Sequence, residues 1–214
     1  MQNQINTDHF SAIIFDLGGV ILNLDYNLTI NAFKKLGGSN FEQLYSQAQQ
    51  DKIFDQYETG KISSQQFIDY LRQFLPSNTS DQTIRDAWNI MLLDLPEQRI
   101  QLLKNLSKKH QIFLFSNTND IHYKAFTSSL ADQYGDPNLL DQLFIQTYFS
   151  HMVGERKPDA AAFNTVINDH QLNPSTTLFI DDSIQHIEGA KSIGIHAYHL
   201  QNEDIIDIFK NSNL

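Results

Sequence analysis

An apolar run meets an acid and two glycines in Ser11-Ala-Ile-Ile-Phe-Asp-Leu-Gly-Gly-Val20. The run is short and contains β-branched residues, so it predicts a buried strand, and Gly18-Gly19 predict a tight turn after it. Asp16 therefore stands at the carboxyl end of the first predicted strand. In open α/β sheets, ligands bind beyond the carboxyl ends of the strands, which makes Asp16 a candidate for chemistry.

Further apolar runs and helical patterns alternate in the second half of the chain. Strands are predicted at 112–115, 148–150, 177–180 and 195–199. Amphipathic helices are predicted between them, one with Ile100, Leu103 and Leu106 on its apolar face and another opened by Pro158. Strands that alternate with helices indicate an α/β fold, in which helices cover both faces of a parallel sheet.

Residues 26–95 interrupt this alternation because they carry helical patterns alone. Apolar stripes at helical spacing occur at 28–36, 41–48, 67–74 and 84–91. Gly37-Gly38 are placed to end the first of these helices, and Ser63-x-x-Gln66 has the form of a capping box before the third. We therefore predict an inserted all-α cap at 23–95, on an α/β core made of 1–22 and 96–214.

The composition excludes several classes of function. The 214 residues include 25 acids and 15 bases, which gives a net charge of −10 and no basic run. Nucleic acids and anionic membrane surfaces need clustered Lys and Arg, so neither is an expected partner. The chain has no cysteine, which excludes disulfides, thiol catalysis and Cys-zinc sites. With no apolar run near the roughly 20 residues of a membrane span and no signal-peptide pattern, we expect a soluble cytoplasmic protein.

Asp16 has polar counterparts near the ends of later strands. Ser116 follows the second strand, Asp181-Asp182 follow the fourth, and Lys157 precedes a helix. A parallel sheet brings such positions to one edge, although they are far apart in the sequence. A single Asp after a strand is usually a turn residue or a helix cap. Matched positions at successive strand ends instead favour a functional site.

If the substrate is a phosphate ester, Asp16, Asp181 and Asp182 can each take part in its hydrolysis. The carboxylate of Asp16 can attack phosphorus and form an aspartyl-phosphate. Two anions approach each other only if their charge is neutralised, and Mg²⁺ is a hard cation that takes oxygen ligands. Asp16, Asp182, Asp181 and a carbonyl of the turn at Gly18 are the candidate ligands.

The remaining candidates fit the phosphate itself. Ser116 can donate a hydrogen bond to a phosphoryl oxygen, and Lys157 places positive charge where negative charge spreads in the transition state. Gly19 lets the backbone approach phosphate and metal closely. Asn117 is either a substrate contact or a cap for the following helix, and the same two interpretations apply to Asn119.

Four stretches, in this order, resemble the motifs of the haloacid dehalogenase superfamily. They are Phe15-Asp-Leu-Gly-Gly-Val20, Ser116-Asn-Thr-Asn119, Lys157-Pro-Asp159 and Phe179-Ile-Asp-Asp-Ser183. In addition, Tyr57-Glu-Thr-Gly-Lys-Ile-Ser63 is similar to a segment of the helical (C1) caps of this family. The resemblance covers nearly the whole chain. It implies a Rossmann-like core, a helical cap and Mg²⁺-dependent phosphatase activity on a small phosphorylated metabolite.

The same resemblance implies the roles of individual residues. By it, Asp16 is the nucleophile, Ser116 and Lys157 hold the phosphate, and the pair Asp181-Asp182 serves the metal. Most phosphatases of this family carry a second Asp two residues after the nucleophile, where this chain has Gly18. That Asp protonates the leaving group, and a positioned acid contributes about 10²–10⁴ in rate.

Three explanations of Gly18 remain open from the sequence. The leaving group needs less help, as in a sugar 1-phosphate or an acyl phosphate; another acid such as Asp25 replaces the missing one; or catalysis is weak. The pattern Asp-x-Gly-Gly-Val resembles a subgroup that includes sugar-phosphate phosphatases, which favours the first explanation.

Two other functions compete with a phosphatase. One is a metal-independent haloacid dehalogenase, which the pair Asp181-Asp182 disfavours. The other is a phosphate-binding or interaction protein without catalysis. Several side chains also keep two interpretations: His122 is a contact to the cap or a surface residue, and Arg156 contacts phosphate or solvent. Asp204 is expected on a solvated helix face.

Overall fold

Five parallel strands form the centre of the computed structural model, which describes residues 5–37 and 52–210. The strands are β1 (Ala12–Phe15), β2 (Gln111–Ser116), β3 (Gln146–Phe149), β4 (Thr177–Asp181) and β5 (His196–His199). Their order across the sheet is β3-β2-β1-β4-β5. The inner strands are buried on both faces, which explains why their sequences are nearly continuous apolar runs. The predicted α/β class is confirmed.

Helices cover both faces of the sheet. The helices of the first half of the chain are α1 (Tyr26–Lys35), α2 (Ile53–Glu58), α3 (Ser64–Arg72) and α4 (Asp81–Asn89), which have a core of their own, and α5 (Glu97–Leu106), which packs on the sheet. Those of the second half are α6 (Asp120–Tyr134), α7 (Leu139–Leu143), α8 (Ser150–Val153), α9 (Ala160–Asp169), α10 (Ile184–Ser192) and α11 (Ile205–Ile208). Within the described parts of the chain, no helix is long and apolar enough to cross a membrane.

Side chains of successive strand residues enter two different cores. Ile13 and Phe15 of β1 belong to one apolar cluster, whereas Ala12 and Ile14 belong to the cluster on the other face. This is the alternation that a pleated strand imposes. Because β1 is buried between the two cores and ends at Phe15, Asp16 is the first residue beyond the strand.

The register of the strands brings the predicted site residues to one edge. Phe15 pairs with Leu114 of β2 on one side and with Ile180 of β4 on the other. Asp16 is the residue after Phe15, and Asp181 is the residue after Ile180. Ser116 ends β2 two residues after Leu114. The predicted convergence at the carboxyl edge of the sheet is therefore confirmed.

The helical block, residues 26–37 and 52–91, packs its helices α1 to α4 around a third apolar cluster. Phe33, Phe67 and Trp88 are among its buried members, and Ile121 of α6 joins it from the other half of the chain. The two connections to the core run side by side, because Leu93 N donates to Asn23 O at 3.0 Å. This packing agrees with a cap, but the boundary at 23–95 stays a prediction. The stripe predicted at 41–48 lies outside the described residues.

Local signals in the sequence set the ends of several helices. The Ser63 side chain accepts a hydrogen bond from Gln66 N, and the Gln66 side chain accepts one from Ser63 N, so the predicted capping box is confirmed. Helix α1 ends at Lys35, and Gly37 follows with φ of 97°. The helix expected to open at Pro158 begins two residues later, at Ala160.

The expectation for Asp204 was wrong. Its carboxylate caps α11 by accepting from Ile206 N at 2.9 Å, and it pairs with Arg99 Nη2 at 2.8 Å. Arg99 is buried and also donates to Ile21 O at 3.1 Å. Asp204 is therefore part of the contact between the end of the chain and the core, because it partners a cation that has little access to water.

Candidate active site

A buried lysine joins the ends of three strands. Lys157 Nζ donates to Asp16 Oδ1 at 2.8 Å, to Asp181 Oδ2 at 2.7 Å and to Phe115 O at 2.8 Å. The Lys157 side chain is fully buried, and these bonds use all three of its donors. Its charge is what permits two carboxylates to lie together in a place with little water.

The backbone of Lys157 is held by an amide from the neighbouring strand end. Asn117 Nδ2 donates to Lys157 O at 2.8 Å, and Lys157 N donates to Asn117 Oδ1 at 2.9 Å. Asn117 thus pairs with a peptide group as a neighbouring strand would. Of its two predicted roles, capping is not seen; instead the side chain positions Lys157, and it also lines the cavity described below.

Asp181 is surrounded by donors. Besides Lys157, Ser183 N donates to its Oδ1 at 2.8 Å, and His186 Nδ1 lies 3.0 Å from both carboxylate oxygens. Burial raises the pKa of Asp181, but these partners outweigh it and hold the pKa at about 2. The carboxylate is therefore ionised at neutral pH.

His186 was not among the residues predicted from the sequence. Its Nε2 lies 3.4 Å from Asn117 Nδ2, a donor, so Nε2 accepts and Nδ1 carries the proton given to Asp181. The available signal was its position one helical turn after Asp182, near the start of a helix that begins at the site edge. His186 fixes the orientation of Asp181 and thereby that of Lys157.

The turn after β1 brings a glycine against the second acid of the pair. Gly19 has φ of 74°, and a Cβ there would lie 2.3 Å from Asp182 Oδ2. A side chain at Gly19 would displace Asp182, so glycine is needed both for the turn and for the close approach. Gly18 packs against Leu24, since a Cβ there would lie 2.5 Å from Leu24 Cδ1.

Three carboxylates form a group suited to a metal ion. Asp16, Asp181 and Asp182 each offer an oxygen, and these atoms lie within 4.8 Å of one another. Burial raises the pKa of Asp16 to about 7, although the charge of Lys157 acts to lower it. Burial and the negative charge of Asp181 raise the pKa of Asp182. A divalent cation would relieve this crowding of like charge, and all three donors are the oxygens that Mg²⁺ prefers.

A cavity of about 580 Å³ opens above these residues. Asp16, Ser116 and Asp182 line it from the sheet edge. Ser116 is buried, and within the described residues its Oγ has only a long 3.5 Å hydrogen bond, to Asn117 O, so the hydroxyl is available to a ligand. The residues that line it from the helical block are Tyr26, Phe54, Asp55, Glu58, Trp88 and Met91.

Arg156 lines the cavity with its guanidinium paired to two acids, so it is not a simple solvated side chain, and its contact with phosphate stays a prediction. It pairs with Asp55 and, through Nη2, with Glu58 Oε2 at 3.0 Å, and both acids belong to α2. Burial raises the pKa of Glu58, although the positive charge of Arg156 acts to lower it. The three residues link the loop before α9 to the helical block at the cavity wall.

His122 is a contact between the core and the helical block, which decides between its two interpretations. The ring stacks on Trp88 with centroids 5.0 Å apart, and its Nε2 lies 3.1 Å from Trp88 O. Asn119 Oδ1 accepts from His122 N and so caps α6, which leaves Asn119 Nδ2 to donate to His122 Nδ1 at 3.2 Å. His122 is therefore neutral, with its proton on Nε2.

Burial lowers the pKa of His122 to about 4. An unfolded chain takes up this proton near pH 6.5, so the stability that the neutral ring contributes is lost as the pH falls from about 6.5 to about 4. We expect His122→Gln, which does not titrate, to lose less stability than the wild type over this window. Urea unfolding at several pH values measures the difference. Parallel curves for the two proteins would contradict the assignment.

Asp25 is not supported as a replacement acid. Its carboxylate caps α1 by accepting from Asn27 N at 2.9 Å. It is also not among the described residues that line the cavity. The carboxyls that line the cavity outside the metal group are those of Asp55 and Glu58.

The comparisons with known proteins agree with this geometry. A sequence model of the haloacid dehalogenase-like hydrolase family matches residues 10–194. A D-ribitol-5-phosphate phosphatase of Bacteroides thetaiotaomicron is 28% identical over 190 residues, which cover 89% of this chain and 91% of that protein.

Solved structures show the same architecture. A haloacid dehalogenase family enzyme of Bacteroides thetaiotaomicron, in complex with magnesium and inorganic phosphate, superposes with a TM-score of 0.81 at 35% identity and covers 94% of this chain and 99% of its own. A predicted hydrolase of this family from Porphyromonas gingivalis gives a TM-score of 0.80 at 27% identity, with coverage of 92% and 94%. On its sequence and on its fold, this chain belongs to the haloacid dehalogenase-like hydrolase family.

Proposed function

We propose that this protein is a Mg²⁺-dependent phosphatase of a small phosphorylated metabolite, preferentially a sugar phosphate, and that it acts through an aspartyl-phosphate on Asp16. The observation that carries the proposal is the placement of Asp16 in the cavity, with one oxygen held by Lys157 and with two further carboxylates within ligand distance. Relatives named as phosphatases support the reaction class, and one is named for a phosphorylated pentitol.

Asp16 is proposed to react through the carboxylate oxygen that Lys157 does not hold. Its attack forms a bond to phosphorus while the ester P–O bond breaks, and the departing alkoxide takes up a proton. Water then cleaves the acyl phosphate, which releases inorganic phosphate and restores Asp16. Lys157 holds Asp16 in one orientation throughout, so that little reorganisation is needed at the moment of attack.

The phosphoryl group is proposed to be bound by residues of the same sheet edge. Ser116 donates its hydroxyl to a phosphoryl oxygen, and the charge of Lys157 stabilises the anion. Asp16, Asp182, Asp181 and the carbonyl of Gly18 are the proposed metal ligands. When bound, Mg²⁺ supplies the positive charge that lets a phosphate anion approach a carboxylate.

Binding of Mg²⁺ should stabilise the folded protein. At a concentration ten times Kd, it adds about 1.4 kcal/mol, or about 3–6 °C in Tm for a chain of this size. Thermal unfolding with millimolar Mg²⁺ and with a chelator measures the shift. We expect Asp182→Ala to show little of it. No shift in the wild type, or an equal shift in Asp182→Ala, would contradict the site.

Release of inorganic phosphate from a panel of phosphorylated metabolites tests the function. We expect turnover with Mg²⁺ and none with a chelator. Release of halide from a 2-haloacid without metal would instead indicate a dehalogenase. If no ester and no haloacid is turned over, a binding or interaction role replaces the proposal.

The same panel addresses the acid that is missing at Gly18. It should pair sugar 1-phosphates and acyl phosphates, which are good leaving groups, with sugar 6-phosphates and pentitol 5-phosphates, which are poor ones. A bias toward the good leaving groups is expected if nothing replaces the acid. Equal turnover of the poor ones would show that another group donates the proton.

A further inference from the structure

The cavity is much larger than a phosphate group, so most of it receives the organic part of the substrate. One part of its wall combines apolar side chains of the helical block, such as Phe54 and Met91, with a polar group of three residues. These three, Glu58, Arg156 and Trp88, are called the tail subsite below.

The tail subsite contains buried polar atoms that lack hydrogen bonds. Among the described residues, Arg156 Nε and Trp88 Nε1 are buried and make none. Glu58 Oε2 is also buried, and its ion-pair partner Arg156 Nη2 lies 3.0 Å from it. Buried polar atoms without partners are rare and costly, and each one requires an explanation. The two donors without partners and the Glu58 carboxylate belong to residues that line a single cavity.

The charges on this wall are already balanced or negative. Arg156 is shared by Asp55 and Glu58, and Lys157 is shared by Asp16 and Asp181. Among the described residues that line the cavity, Arg156 is the one Lys or Arg, and it is already paired with two carboxylates. A second anionic group on the substrate would therefore meet carboxylates with no free cation to neutralise it.

We propose that the tail subsite binds the hydroxyl groups of an uncharged polyhydroxylated tail and rejects substrates that carry a second anionic group. A hydroxyl both donates and accepts, so it can partner Glu58 Oε2 as well as Trp88 Nε1 or Arg156 Nε. This inference rests on the proposed function and adds the residues that choose the substrate. Glu58 is the residue on which the selection depends, because it supplies both an acceptor and the repelling charge.

Two primary alkyl phosphates test the subsite: a pentitol 5-phosphate, with a neutral hydroxylated tail, and phosphoglycolate, with a carboxylate. We expect the wild type to favour the pentitol phosphate in kcat/KM by about 100-fold. In Glu58→Gln the ratio should fall by at least about tenfold, mainly through a higher KM for the pentitol phosphate. Asp69→Asn, which removes an exposed acid of α3, is the matched control and should keep the wild-type ratio.

The outcomes separate the subsite from the reaction. Equal kcat/KM for the two esters in the wild type, or an unchanged ratio in Glu58→Gln, would overturn the subsite while leaving the phosphatase proposal intact. If neither ester is hydrolysed, the other esters of the panel decide the phosphatase proposal, and the subsite is tested by the rise in Tm that each of the two esters causes in Asp16→Asn. A larger rise with the pentitol phosphate supports the subsite, and equal rises or none overturn it.

Discussion

Asp16→Asn is expected to lower phosphate release by about 10⁴-fold or more, because an amide cannot form the acyl phosphate. The substitution keeps the shape of the side chain and removes a charge whose burial is unfavourable, as the raised pKa of Asp16 indicates. Lys157 keeps its bonds to Asp181 and Phe115 O. We therefore expect the variant to stay folded. Inorganic phosphate released per enzyme, measured with Mg²⁺, gives the loss directly.

A covalent intermediate provides the second measurement on Asp16. Acid quenching of the wild type during turnover should trap a species heavier by one phosphoryl group, which Asp16→Asn should lack. Circular dichroism and the Tm of the variant control for misfolding. Hydrolysis near the wild-type rate by a folded Asp16→Asn protein would exclude Asp16 as the nucleophile.

Lys157→Met is expected to damage both stability and activity. It removes the cation from between Asp16 and Asp181, so that two buried carboxylates lose their shared partner. Breaking a buried pair in this way costs about 3–5 kcal/mol. Loss of a positioned charge from a transition state costs about 10²–10³ in kcat. Urea unfolding without metal measures the first effect, and phosphate release measures the second.

Mg²⁺ and a substitution of a second, exposed lysine provide the controls for Lys157→Met. Because a divalent cation can also neutralise the carboxylates, Mg²⁺ should restore more stability to Lys157→Met than it adds to the wild type. Lys124→Met removes an exposed lysine whose ion pair with Asp120 contributes at most about 1 kcal/mol. If Lys157→Met is as stable as Lys124→Met without metal, Lys157 does not hold the site together.

The residues that reach the site edge were predictable because their placement depends on local patterns. An apolar run followed by a polar residue marks the end of a buried strand, and parallel strands end together at one edge. Asp16, Ser116 and Asp181 follow from this rule alone. The capping box at Ser63 follows in the same way from residues three apart.

The sequence by itself thus determined the α/β class, the helical block and the set of acids at the strand ends. The tertiary structure decided which side chains pair across long separations. Asn117 holds Lys157 from 40 positions away, and Arg156 meets Asp55 from 101 positions away. No local pattern encodes such contacts, because each depends on where two separately formed elements meet. His186 went unpredicted for this reason, since its role exists only once α10 lies beside Asn117 and Asp181.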